Sequence, residues 1–183
     1  MRKLIVAAAI ALSCAFANAA TVGWSLGGLS SFAGDSYAFF VIGQNGADSI
    51  ATITALLDAG DSSYASKAFG TGMVAANGSA TVAAGSSGKT IADAGTYTGF
   101  FVLFDSATPE AGSSQYVVIS GASTLTKTLT ATTATVTFAG GNGSTIAGDA
   151  SNWAAYGTAI PEPTSGLLML VGLGALALRR RRA

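Results

Sequence analysis

Three stretches of the chain are apolar at almost every position. They are "YAFFVIG" from Tyr37, "GFFVLF" from Gly99 and "QYVVIS" from Gln115. Each is rich in aromatic and β-branched residues and is bounded by Gly, Asp, Asn or Ser, which predicts buried β-strands. Two later stretches alternate instead. In "TLTKTLT" from Thr124, Leu125, Lys127 and Leu129 share one face and threonines the other. In "TATVTFA" from Thr133, Ala134, Val136 and Phe138 are predicted to face the core. The short Thr130-Ala131-Thr132 link makes the two a predicted hairpin. "VGWSLGG" from Val22 reads as a further strand.

One stretch follows a helical period. In "ADSIATITALLDAG", Ile50, Ile53 and Leu57 recur at i, i+3 and i+7, with Leu56 beside them. Asp48 stands at the predicted N-cap and Gly60 at the C′ position, so a helix over about 48–58 is expected. The runs at Phe39–Ile42 and Phe100–Leu103 are apolar on both faces, so this helix is expected to cover one face of their sheet. "YAFFVI" and "TGFFVLF" resemble each other, which two buried strands of similar composition explain without a duplication. "TVAAGSSGKT" and "AGGNGSTIAGDASN" read as Gly-rich loops.

The predicted architecture is mostly β: an antiparallel sandwich with one short peripheral helix. A β-solenoid is the alternative, although no fixed repeat length supports it. The region between the two ends of the chain spans about 140 residues, enough to bury roughly two-thirds of its unfolded surface as one domain.

Composition narrows the chemistry. The chain of 183 residues has no histidine, and Cys14 is its one cysteine. A Ser-His-Asp or Cys-His nucleophile cannot be assembled from it, and zinc and copper sites lose their usual ligands. The expectation is a protein without catalysis, cofactor or metal. Asp58 and Asp61 could share a cation, but a solvated turn after the helix is the simpler reading. "GGNGSTIAG" faintly resembles a calcium-binding repeat, with Thr145 where aspartate is needed. Asn77-Gly78-Ser79 and Asn142-Gly143-Ser144 have the N-x-S form and read as turns.

The overall charge is zero because the ends are basic. Between Ala20 and Ile160, three lysines face eight acids, a net charge of −5. Nucleic acid is therefore not expected as a partner, since its phosphates demand clustered cations.

The start of the chain has the three parts of a secretory signal. Arg2 and Lys3 are the positive region, Leu4 to Leu12 the apolar region, and Ala17-Asn18-Ala19 an A-x-A cleavage site. Signal peptidase cleavage after Ala19 would make Ala20 the mature terminus and discard Cys14. No disulfide would then be possible.

The other end reads "PEPTSGLLMLVGLGALALRRRRA". Pro161 and Pro163 hold the backbone extended around Glu162. Gly166 to Leu178 is an uncharged run of 13 residues. As a helix it would span roughly 20 Å, against about 30 Å of bilayer hydrocarbon. Arg179, Arg180, Arg181 and Arg182 would remain cytoplasmic and leave the rest outside. This order of parts closely resembles the PEP-CTERM sorting signal of Gram-negative bacteria. The resemblance implies recognition by an exosortase, a membrane-embedded cysteine transpeptidase, in a host that makes exopolysaccharide, itself a candidate partner.

The expected organisation is a signal peptide at 1–19, a β-rich extracytoplasmic domain at 20–158 and a sorting signal at 159–183. The sorting signal comprises a short transmembrane helix over 166–178 and a basic tail over 179–182. The protein would be exported, held transiently in the inner membrane, then left at the outer surface or in the extracellular matrix. The alternative function is a polysaccharide-binding or adhesin-like module. Trp24, Tyr64, Trp153 and Tyr156 would then be exposed platforms for sugar rings, although core placement suits each of them better.

Overall fold

The computed structural model describes residues 19–157. The predicted signal helix, Ala17, the Pro161-Glu162-Pro163 motif, the span over 166–178 and Arg179 to Arg182 lie outside the described residues. Ala19 is exposed, and Ala20 begins the first strand.

The strands in chain order are β1 (Ala20–Leu26), β2 (Ser36–Val41), β3 (Gly70–Met73), β4 (Ala80–Val82), β5 (Thr90–Ile91), β6 (Gly95–Phe104), β7 (Gln115–Ile119), β8 (Thr126–Leu129), β9 (Thr135–Gly140) and β10 (Ala154–Ala155). The helices are α1 (Ile50–Asp58), α2 (Tyr64–Lys67) and α3 (Gly143–Ala147), with 3₁₀ turns at Ser30–Phe32, Ser123–Leu125 and Ala150–Asn152.

Two sheets result. In the first, β1 is central, with β4 and β5 antiparallel to it and β9 parallel. The second runs β10-β7-β6-β2-β3, and β8 pairs with the early half of β6. All of its pairings are antiparallel. The similar runs at Tyr37 and Gly99 are direct neighbours, with Phe39 opposite Phe101 and Phe40 opposite Phe100.

Because strand side chains alternate, the doubly apolar runs supply two cores. Tyr37, Phe39, Val41, Phe101, Leu103, Val117 and Ile119 face Val22, Trp24, Leu26 and Phe138 of the first sheet. Ala38, Phe40, Phe100, Val102, Phe104 and Tyr116 pack on Ile53 and Leu57 of α1 and on Tyr64 of α2. The expected helix therefore does cover one face of the sheet.

Details of α1 differ from expectation by one residue. Ser49, not Asp48, is the N-cap, and its hydroxyl accepts from the Thr52 amide at 3.1 Å. At the other end Gly60 adopts φ +68°, a left-handed turn that glycine enters without a Cβ clash. Its N–H bonds the Leu57 carbonyl, and the Asp61 N–H reaches back to Leu56. This pair of bonds is the Schellman arrangement.

Three expectations are corrected. The purely antiparallel arrangement fails at β1 and β9, which run parallel. The predicted hairpin of "TLTKTLT" and "TATVTFA" does not form, since β8 joins β6 in one sheet and β9 joins β1 in the other. Pairing with β6 gives β8 a threonine ladder, Thr96 to Thr128 at 3.0 Å and Thr98 to Thr126 at 3.1 Å. Crossing over lets β9 bury Phe138 against Phe39, 5.5 Å away, while Ala134, outside the strand, stays exposed. Finally, "TVAAGSSGKT" contributes to β4 and β5, and "GNGSTIAGD" forms α3. Main-chain pairing with β1 stabilises the first of these despite its weak side-chain signal.

Gly70 shows why β3 is poor in side chains. A Cβ there would collide with the ring of Trp24, whose Nε1–H donates to the Tyr37 hydroxyl at 3.3 Å. No helix among the described residues is long and apolar enough to cross a membrane.

Candidate functional site

Of the four aromatics proposed as sugar platforms, Trp24, Tyr64 and Tyr156 are buried. Trp24 stacks on Phe39 at 5.0 Å, and Tyr64 and Tyr156 both pack against Phe104 at 5.5 Å. Burial pushes the Tyr64 hydroxyl up to about 12, with Tyr156 adding to the effect, so it stays protonated at neutral pH. The fourth is different. Trp153 is half-buried and stacks on Phe32 at 5.5 Å with 29° between the ring planes.

Phe32 and Trp153 line a groove of about 540 Å³. The turn at Ser30–Phe32 supplies one wall, and α3 with the following 3₁₀ turn supplies the other. The ends of β6 and β7 bring in Asp105 and Gln115, and Ser31 and Ser144 add hydroxyls. The Trp153 Nε1–H donates to the Ala147 carbonyl at 2.8 Å, which fixes the indole in place. Asp105 Oδ1 accepts from the Gln115 amide at 2.8 Å. The chain signal for this site was weak: Phe32 is a lone aromatic between small residues, and no periodicity marks it.

Asp35 precedes β2 and Asp105 follows β6, so their antiparallel pairing brings both carboxylates to the same end of the ladder. Burial raises the Asp35 pKa, and the negative charge of Asp105 raises it further. Such a group binds its proton more readily folded than unfolded. Its charge therefore opposes folding at neutral pH, and the opposition vanishes as pH falls below the ordinary aspartate value of about 3.9. Asp35→Asn is expected to melt higher than the parent at pH 7, by roughly 1–3 °C, the scale of a single like-charge pair. The two should melt together in strong acid. A calorimetric series across pH checks this, and a gain that persists in strong acid would exclude the charge as its cause.

Three other aspartates serve local structure. Asp58 accepts from the Tyr116 hydroxyl at 2.7 Å, and Asp61 accepts from the Ser63 amide at 2.8 Å. The Ser63 bonds hold the Asp61 carboxyl below its ordinary range. Asp149 caps its 3₁₀ turn through the Ser151 hydroxyl at 2.7 Å and amide at 2.9 Å, which lowers its pKa. Among the described residues no three His, Cys, Asp or Glu side chains are grouped as metal ligands. Asn77 closes a turn by accepting from the Ser79 amide and hydroxyl, while Asn142 leads into α3.

The domain reaches close to both predicted processing regions. Ala20, at the predicted cleavage site, is 1% exposed and pairs with Ile91. At the other end the Tyr156 N–H donates to Ser114 and the Gly157 N–H to Leu57, both at 2.8 Å. Only Thr158, Ala159 and Ile160 separate Gly157 from Pro161.

No curated protein and no solved structure matches this chain. A family model described as the PEP-CTERM protein-sorting motif matches residues 159–182, a stretch that contains Pro161, Glu162, Pro163 and Arg179 to Arg182. The chain thus carries a PEP-CTERM sorting motif immediately after its β-rich domain.

Proposed function

We propose that the protein is an exported surface or extracellular-matrix protein, sorted and processed by an exosortase and without catalysis of its own. The single observation that carries this reading is the sorting motif at 159–182. In this account signal peptidase acts between Ala19 and Ala20. The segment over 166–178 then halts in the inner membrane with Arg179 to Arg182 on the cytoplasmic side. Pro161-Glu162-Pro163 is the segment the exosortase grips just outside the membrane, and the two-sheet domain travels with it. Mild acidity suits a soluble exported surface.

Intact-mass measurement of the surface form from the native host tests both ends at once. The expected mass begins at or near Ala20 and ends near Pro163. A surface form that still contains Arg179 to Arg182 would remove the sorting claim.

The Phe32–Trp153 groove favours a second reading, a polysaccharide-binding or adhesin-like module. Aromatic faces beside neutral hydrogen-bonding groups are the chemistry that holds sugar rings, whose C–H faces are apolar and whose edges are hydroxylated. Here one aromatic pair, rather than a row of four platforms, would do the binding.

A further inference from the structure

We infer that the groove beside the stacked Phe32–Trp153 pair is a subsite for a sugar ring carrying a free, positively charged amine. The inference rests on the second reading above and adds to it the chemical class of the ligand. The groove volume, about 540 Å³, falls among small-molecule sites, which run roughly 300–1,000 Å³. One side is apolar, where the stacked Phe32 and Trp153 side chains border the groove. The indole is held by its bond to the Ala147 carbonyl, so little side-chain freedom remains to be lost on binding. Ser31, Ser144 and Gln115 offer neutral partners for ring hydroxyls.

The charge in the groove selects among sugars. Asp105 is the ionisable group of its lining, and none of the three lysines of the domain lies there. The Asp105 carboxylate is oriented by the Gln115 amide through one oxygen, Oδ1. Asp35, at the same end of the β2–β6 ladder, adds a second negative charge nearby. Two carboxylates that repel each other beside an aromatic pair form a local field that a cation relieves. An ammonium on a sugar ring satisfies that field, while the ring itself packs on the apolar Phe32–Trp153 edge of the groove. An N-acetylated or neutral ring does only the second. An anionic sugar is opposed by both carboxylates.

Calorimetric titration of the protein purified from its host, at low salt and pH about 5.5, tests this. At that pH the sugar amine is charged. The probes are a β-1,4-glucosamine tetramer, its fully N-acetylated counterpart, a β-1,4-glucose tetramer and a tetralysine peptide. The glucosamine tetramer is expected to bind about tenfold or more tightly than either other sugar, the scale of one charge-assisted hydrogen bond. Asp105→Asn, at an exposed position, should erase that preference and leave weak binding of all three sugars. Trp153→Phe keeps a ring in place and should weaken every sugar together. Equal binding of the three sugars to the parent protein would overturn the amine inference and leave the sugar-binding reading intact. Absence of binding to all three would overturn both. Tighter binding of tetralysine than of any sugar would reassign the groove to a basic peptide and overturn the inference as well.

Discussion

Phe39→Ala is expected to lower the stability of the domain by about 3–5 kcal/mol, against an ordinary total of about 5–15 kcal/mol. Phe39 is fully buried where the two sheets meet. Its ring lies 5.0 Å from Trp24 and 5.5 Å from Phe138 on the first sheet, and 4.8 Å from Phe101 on its own. Phe69 closes the cluster at 6.5 Å. The neighbouring position on β6 is Gly99, which has no side chain to refill the space. Urea unfolding of residues 20–160, followed by tryptophan fluorescence, measures the effect. Phe40→Ala is the control: the same residue type one position along faces α1 and stacks on Phe100 at 5.0 Å. Both variants should shift the midpoint, but Phe39→Ala alone should change native fluorescence, because it removes the stacking partner of Trp24. A midpoint shift no larger than that of a surface change such as Ser62→Ala, at an exposed turn position, would mean that the two sheets do not share this core.

Replacing Arg179 to Arg182 with glutamate is expected to abolish processing altogether while leaving the domain folded. Arginines flanking a short apolar segment set its orientation, and acidic residues do not substitute for them. The domain should be indifferent, because Gly157 is already tied to Leu57 and Tyr156 to Ser114 before the sorting motif begins. The check compares the parent and the variant in the native host. The processed surface form should disappear by intact mass, and the protease-resistant domain should be recovered unchanged from the cell. Processing at the parental level would show the basic cluster to be unnecessary, and the account of the tail would fail.

Both variants depend on features that differ in how visible they are along the chain. Strands such as β2, β6 and β7 are legible because their burial on both faces demands unbroken apolar runs. The helix at Ile50–Asp58 is legible because a helical period and a terminal glycine agree. The sorting motif is legible for another reason. In the proposed account it is read by an enzyme and a membrane as a linear string, so its order of parts carries the information directly.

β3, β4 and β5 carry almost no side-chain signal. "GTGM", "ATV" and "TI" become strands because β1 and β2 offer unpaired main-chain groups at their edges. Partner choice was equally hidden. The alternation in β8 and β9 states which residues face inward, yet it is the same whether the two strands pair with each other or with β6 and β1. The choice falls to non-local terms: the threonine ladder on β6 and the burial of Phe138 beside Phe39.

The groove follows the same logic. Phe32, Asp105 and Trp153 are far apart along the chain, and nothing local to any of them points to the others. The chain order sufficed for the strands of unbroken apolar character, the one long helix and the sorting motif at 159–182, because each is encoded by neighbours in the chain. Strand partners, the parallel pair and the Phe32–Trp153 groove came from the packed fold. Their energies depend on which distant surfaces meet, and a one-dimensional pattern does not contain that.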